Sequence, residues 1–253
     1  MFIACLFVAL AAADAVPAAS PQWPLDLPTR YLTSNFMERR SGRWHAGLDL
    51  KTRTVTGFPV RAAEDGWISR VRAETGAYGR VVYLRGESGK TYVYAHLERF
   101  SDVIQELVAA DREGHGRYRV RLNLEPGEVP VRAGQVIALT GQSGTAGPHL
   151  HFEVRDAEQR PLNPLEHGFA LPDTFAPTIQ AVTAHPVEPW SRVAGDGVPR
   201  SHRGKALQGE LPALRIWGPV AFSASIVDRS DVRGHRLEPW LIEVRLDDRL
   251  VYR

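Results

Sequence analysis

The chain has 253 residues, with 31 basic and 29 acidic side chains for a formal charge of +2, and 43% of its residues are hydrophobic. That apolar content excludes wholesale disorder, and the even charge balance argues against a nucleic-acid partner. Cys5 is the only cysteine, which excludes an internal disulfide and a thiolate metal site, so any metal ion must be held by His, Asp or Glu.

Residues 2–13, FIACLFVALAAA, form an apolar run that ends in small residues around Ala13 and Ala15. The run is short for a membrane span and reads as a signal peptide, residues 1–19, cut near Ala15 or Ala19. The mature protein is therefore expected to be exported, to the periplasm or the cell exterior, with no membrane span. Cys5 lies too early to be a lipidation site.

From residue 43 the text is short alternating runs cut by glycine. W44-HAGLDL50 reads as a strand, and so do G66-WISRV71 and Q135-VIALT140. V81-VYL84 and T91-YVYA95 flank the turn G86-ESG89 as a hairpin. Residues 101–130 break this rhythm. Phe100, Ile104, Leu107 and Val108 fall on one helical face behind Ser101 or Asp102 as N-cap, and Y118-RVRLNL124 then alternates as a half-buried strand. This inserted helix–strand element either decorates the fold or walls a substrate groove.

A Pro-rich stretch, 161–177, precedes a change of character. T178-IQAVTA184, P219-VAFSASIV227 and W240-LIEVRL246 read as strands around a polar stretch from 191 to 209, and Asp247-Asp248 turns the last strand into L250-VY252. The expected organisation is an all-β domain over 20–170, a sandwich or barrel carrying the insertion, followed by a small Ig-like β-sandwich over 171–253. So few strands in that last unit suggest a shortened sandwich.

Three strands carry the chemistry. Alternation puts His45, Gly47 and Asp49 on one face of the first, an imidazole and a carboxylate converging over a residue without a side chain. Alone, this spacing equally describes a simple His–Asp hydrogen bond. In P148-HLHFEV154, His149, His151 and Glu153 share a face while Leu150, Phe152 and Val154 take the other. Two neighbouring imidazoles in apolar surroundings are costly unless they are partnered, so H-x-H here is a metal-ligand signature. Glu153 is either an acceptor that orients a ligand histidine or a structural carboxylate. His96 ends the apolar strand Y92-VYA95, where a core, surface or catalytic role fits equally. Two histidines with one carboxylate would leave an open coordination position, the pattern of catalytic rather than structural zinc. Ser143 does not sit in the G-x-S-x-G context of a serine nucleophile, because Gly144 follows it directly.

The chain resembles the lysostaphin-type (LytM-type) zinc metallopeptidases, which cleave peptide bonds in peptidoglycan. The resemblance runs through T33-SNFMER39, H45-AGLD49, G57-FPVRAAEDGWI68, Y78-GRVVYL84, Y92-VYAHL97, V131-RAGQVIALTGQSGTAGPHLHFEVR155 and N163-P164. It implies a two-sheet β-structure with an open groove, His45, Asp49 and His151 as ligands of Zn2+, and His96 and His149 as catalytic histidines that are not ligands. It also implies peptidoglycan peptides as substrate. Three departures bear on the groove's shape and substrate choice: Met37 where the family usually has glycine, a loop before Pro148 about one residue short, and the 101–130 insertion. Nothing in the family pattern covers 175–253, where a wall or protein partner, or a plain spacer, is expected. A competing expectation is a non-catalytic wall-binding member or an activator of another hydrolase, but such members are expected to lose ligands and all five positions are present. Asn35 is a candidate occluding ligand in the N-terminal segment.

Overall fold

A computed structural model describes residues 20–231, 236–239 and 241–253. The expected signal peptide, 1–19, lies outside the described residues. Two main sheets are built from strands between Leu32 and Leu162. The larger has nine strands along the path β1 (Leu32–Ser34), β4 (Leu48–Lys51), β13 (His149–Arg155), β8 (Thr91–Ala95), β7 (Arg80–Gly86), β6 (Gly66–Ala73) and β10 (Val120–Asn123). Short strands β11 (Pro130–Val131) and β14 (Pro161–Leu162) pair with β6 and β13. The smaller sheet runs β5 (Pro59–Arg61), β12 (Val136–Thr140) and β9 (Leu97–Phe100).

Alternation decides what lies between these sheets. Leu150, Phe152 and Val154 of β13 are fully buried and join Leu48 and Leu50 of β4, Val60 of β5 and Ile137 of β12 in one core. Phe152 meets Phe169 edge-on at 4.7 Å between ring centroids, and Tyr92 and Tyr94 complete the aromatic cluster. β8 is buried along its whole length because Val93 and Ala95 pack with Val81 and Tyr83 on the opposite face of the large sheet. That second face carries the functional side chains.

The helix is α1 (Asp102–His115), preceded by Ser101, with Ile104 and Val108 turned into the core and Gly116 ending it in the left-handed conformation. The strand after it, β10, is the edge of the large sheet beside β6, four strands from β13. The insertion therefore extends the sheet at the end far from the histidines.

W44-HAGLDL50 is shorter as a strand than its alternation suggests. The ladder begins only at Leu48, and His45 sits in a loop behind the hairpin β2 (Arg39–Arg40) and β3 (Arg43–Trp44). Main-chain hydrogen bonds from Met37 N to His45 O (2.8 Å) and from His45 N to Glu38 O (2.9 Å) hold that loop closed.

Beyond residue 177, β15 (Thr178–Pro186) and β19 (Val220–Arg229) pair along their whole length in a four-stranded sheet completed by β17 (Arg200–Leu207) and β20 (Arg236–Leu237). β17 lies inside the polar stretch 191–209, where no strand is expected. R-S-H-R-G-K-A-L has no apolar alternation because it is an exposed edge strand. Two short ladders accompany this sheet, β16 (Arg192–Val193) with β18 (Ile216–Trp217), and β21 (Val244–Leu246) with β22 (Arg249–Tyr252). Asp247 and Asp248, with φ of 49° and 63°, make the two-residue turn of the last hairpin. The expected Ig-like sandwich is not formed among the described residues. Five consecutive residues of β19, 221–225, are exposed, so no second sheet covers either face there.

Every fully buried member of the main core lies between Trp23 and Phe169. We therefore propose the division near residue 170 as a true domain boundary and expect a chain ending at residue 177 to stay soluble and to unfold cooperatively. Near-UV circular dichroism with thermal melting checks this, and loss of the cooperative transition would merge the two units into one.

Candidate active site

Register between strands builds the site. In the β4–β13 ladder His151 lies directly opposite Asp49, and in the β13–β8 ladder it lies opposite Ala95. His45 reaches the same point from its loop because Gly47 lets the chain cross β13 at close quarters. A Cβ at Gly47 would lie 2.2 Å from the main-chain oxygen of Phe152 and 2.8 Å from Cγ of Glu153. The glycine between the ligand-type residues is thus required by backbone contact.

Three donor atoms converge. His45 Nε2 is 3.0 Å from Asp49 Oδ1 and 3.0 Å from His151 Nδ1, and His151 Nδ1 is 2.9 Å from Asp49 Oδ1. All three residues are buried. The far side of each ring is committed elsewhere. His45 Nδ1 donates to the main-chain oxygen of Asn35 at 2.6 Å, and His151 Nε2 donates to Glu153 at 2.8 Å. These partners assign the tautomers and leave two nitrogen lone pairs and a carboxylate oxygen aimed at one another. That arrangement is repulsive without a cation or an extra proton among them, and a neutral two-histidine, one-carboxylate set fits a zinc ion. These are the residues among those described that are positioned together to hold a metal.

The surroundings sharpen the charges. Burial opposes ionisation of Asp49, but hydrogen bonds to His151 and His45 prevail and hold its carboxyl far below the usual range. Burial likewise works against the His151 imidazolium, yet Asp49 and Glu153 push its pKa up to about 9 in the absence of a metal. A cation and that proton compete for the same nitrogen. Glu153 is fully buried and is held ionised, at about 2, by His151 and by Arg155, whose guanidinium lies 2.6 Å away. Tyr78 donates a further hydrogen bond to it. Arg40 closes the other end, 2.9 Å from the second oxygen of Asp49 and hydrogen-bonded also to Ser34.

His96 and His149 sit beside this cluster, their rings 4.7 Å apart. Each donates its Nδ1 proton to a main-chain oxygen at 2.9 Å, His96 to Ser143 and His149 to Gly147, so both Nε2 atoms are free to accept. His149 Nε2 is 3.5 Å from Asp49 Oδ1. Burial lowers both pKa values, that of His96 to about 4, so both rings are neutral near pH 7. His96 occupies the junction between β8 and β9 with φ of 61°, a left-handed conformation uncommon for a side chain of this size. That backbone turn, as the chain leaves the large sheet for the small one, brings its ring beside those of His149 and His151.

All five residues singled out in the sequence therefore meet in one open cavity of about 470 Å3, lined also by Arg40, Arg43, Trp44, Tyr78 and Thr145. Residues 101–130 do not line it, so the insertion decorates the fold instead of walling the groove. Asn35 does not line it either. Its main chain holds His45 and its side-chain nitrogen donates to Glu238 O at 3.0 Å, away from the cluster. Ser143 is structural: its hydroxyl donates to Leu97 O and accepts from Arg80 N. Sequence reasoning did not single out Tyr78, Arg155 or Arg40. Tyr78 and Arg155 both bond the buried Glu153, a meeting of separate segments that no spacing signals.

Residues 43–112 match the profile of peptidase family M23, a zinc-dependent family. That match makes the first domain similar to peptidase family M23 over those residues. Among curated relatives, the DD-carboxypeptidase/endopeptidase Mpg of Neisseria meningitidis is 34% identical over 132 residues, 52% of this chain and 24% of that protein. The peptidoglycan DD-endopeptidase ShyB of Vibrio cholerae is 30% identical over 162 residues, covering 61% of this chain and 32% of that protein. The chain thus spans about a quarter to a third of the length of these relatives. A solved zinc-containing peptidase from Vibrio cholerae aligns over 58% of this chain and 39% of its own, at 28% identity and a TM-score of 0.43.

Met37 holds φ of 60°, a left-handed geometry that costs an L side chain about 1–2 kcal/mol. Met37→Gly is therefore expected to leave stability unchanged or to raise it by up to about 1 kcal/mol, since glycine's looser unfolded chain takes back part of the relief. Gly47→Ala should go the other way, losing about 1–3 kcal/mol or more as β4 and β13 are forced apart. Denaturant titration of both variants measures the two effects.

Proposed function

We propose that this chain is an exported, zinc-dependent endopeptidase that hydrolyses peptide bonds of peptidoglycan. The observation that carries the reading is the tautomer pattern: four histidines each spend one nitrogen on an oxygen acceptor behind them and turn the other toward one groove beside Asp49. A purely structural cluster would have no need of four such oriented lone pairs. The relatives' names, as endopeptidases of peptidoglycan and the DD class, supply the substrate.

In this reading His45, Asp49 and His151 hold the ion. Zinc held there would supply Lewis acidity toward a peptide carbonyl and would lower the pKa of a bound water. Glu153, braced by Arg155 and Tyr78, fixes the orientation of the His151 ring, and Arg40 fixes the carboxylate of Asp49. His149 and His96, neutral and with free Nε2 atoms, take a proton from the attacking water and return it to the departing amine. Once protonated, either ring also donates to the oxygen of the tetrahedral intermediate. Their tautomers are pre-set by Gly147 and Ser143, so no ring must turn during the reaction.

The test separates holding from turning over. His45→Ala and His151→Ala are expected to lose both zinc and activity, because two remaining protein ligands hold the ion poorly. His149→Ala and His96→Ala should keep about one zinc per chain while hydrolysis of purified sacculi falls by ~10²–10⁴. Elemental analysis beside mass spectrometry of released muropeptides gives both numbers. Equal zinc loss from folded His149→Ala and His151→Ala would reverse the assignment, and full activity in strong chelator would remove zinc from the mechanism.

A further inference from the structure

We propose that Arg43 is the anion-reading residue of the groove, pairing with a free carboxylate of the peptide substrate. The inference rests on the peptidase reading and adds a specificity-determining residue to it.

The argument is an account of charge. Asp49 contributes the only carboxylate among the groove-lining residues, and its two oxygens are taken by His45, His151 and Arg40. Glu153, behind His151, is taken by His151, Arg155 and Tyr78. Arg40 spends its guanidinium on Asp49 and Ser34. Arg43 is different. It lines the same cavity, is exposed, and its side chain makes no hydrogen bond or ion pair among the described residues. It opens β3 directly after the hairpin turn, where main-chain pairing with Arg40 fixes its place. Trp44 is 57% exposed and lines the groove too, an apolar platform beside the free guanidinium. Ala77, Tyr78, Gly144 and Thr145, which also line the groove, carry no charge.

A groove so built has a net positive charge that nothing within it neutralises, and a dication on the histidine cluster increases it. An unpaired planar guanidinium at the mouth of such a cleft matches a carboxylate through paired N–H donors. Free carboxylates along a peptide substrate supply that anion.

The experiment uses the full chain and a cross-linked stem-peptide dimer in two forms, one with free side carboxylates and one with those carboxylates amidated. Binding is measured calorimetrically in chelator, where hydrolysis is suppressed, and hydrolysis is followed separately in zinc. The wild type should bind the free-acid dimer roughly tenfold more tightly than its amidated twin, with the difference shrinking as salt is raised. In Arg43→Gln the ratio should collapse toward one, and Arg43→Lys should restore part of it. Equal binding of the two dimers by the wild type, no binding of either, or an unaltered ratio in a folded Arg43→Gln, would overturn the proposal. A preserved preference without any hydrolysis in zinc would instead overturn the peptidase reading and leave Arg43 as an anion-binding residue.

Discussion

Antiparallel pairing of β4 with β13 is the constraint on which the site depends, because it sets His151 opposite Asp49 and, through Gly47, draws His45 onto the same spot. A slip of one residue would turn His151 into the core and Leu150 or Phe152 onto the groove. The burial of Leu48, Leu50, Leu150, Phe152 and Val154 on the opposite face forbids that slip. Hydrophobic packing beneath the sheet therefore fixes the positions of the polar atoms above it. A side chain at position 47 would strike the main chain of Phe152 and the side chain of Glu153 together.

The polar side is built as a set of locked rings. Each histidine has a backing partner, and three of the four partners are main-chain oxygens, from Asn35, Ser143 and Gly147. Main-chain acceptors on tight loops cannot rotate away, so the direction of every free lone pair follows from the course of the backbone. The fourth partner, Glu153, is a side chain. A lone buried carboxylate would take up a proton, but His151 and Arg155 outweigh burial and keep Glu153 ionised, while Tyr78 bonds it as well. The loops at 141–147 and 76–79 interlock for the same purpose. A Cβ at Gly79 would strike Ser143 O at 2.2 Å, so the carbonyl that holds His96 is itself wedged in place.

The unit beyond residue 177 touches this machinery at one edge. The Glu238 carboxylate accepts the Arg39 amide at 3.1 Å, and its main-chain oxygen accepts from Asn35, the residue whose carbonyl holds His45. The loop that aims one ligand-type histidine is thus bonded on its outer side to the second sheet. The insertion at 101–130 has no such contact with the site, being attached at the distant sheet edge.

Much of this was legible in the order of residues. Alternation alone assigns His149, His151 and Glu153 to one face of a strand and Leu150, Phe152 and Val154 to the other, because the period of an extended chain is two whatever surrounds it. The hairpin at 81–95, the helix from 102 and the five candidate site residues follow from equally local rules and from resemblance. Tertiary structure decided the rest. The strand β17 has no apolar alternation, since an exposed edge buries neither face. His96 is brought beside His149 and His151 by a left-handed residue at the crossing between two sheets, which periodicity does not describe. The pairing of Arg40 with Asp49, and with it the freedom of Arg43, depends on which hairpin lies over which strand. Local pattern sets the face a side chain takes; the partner it meets there is set by segments a hundred residues apart, through strand register and the packing that enforces it.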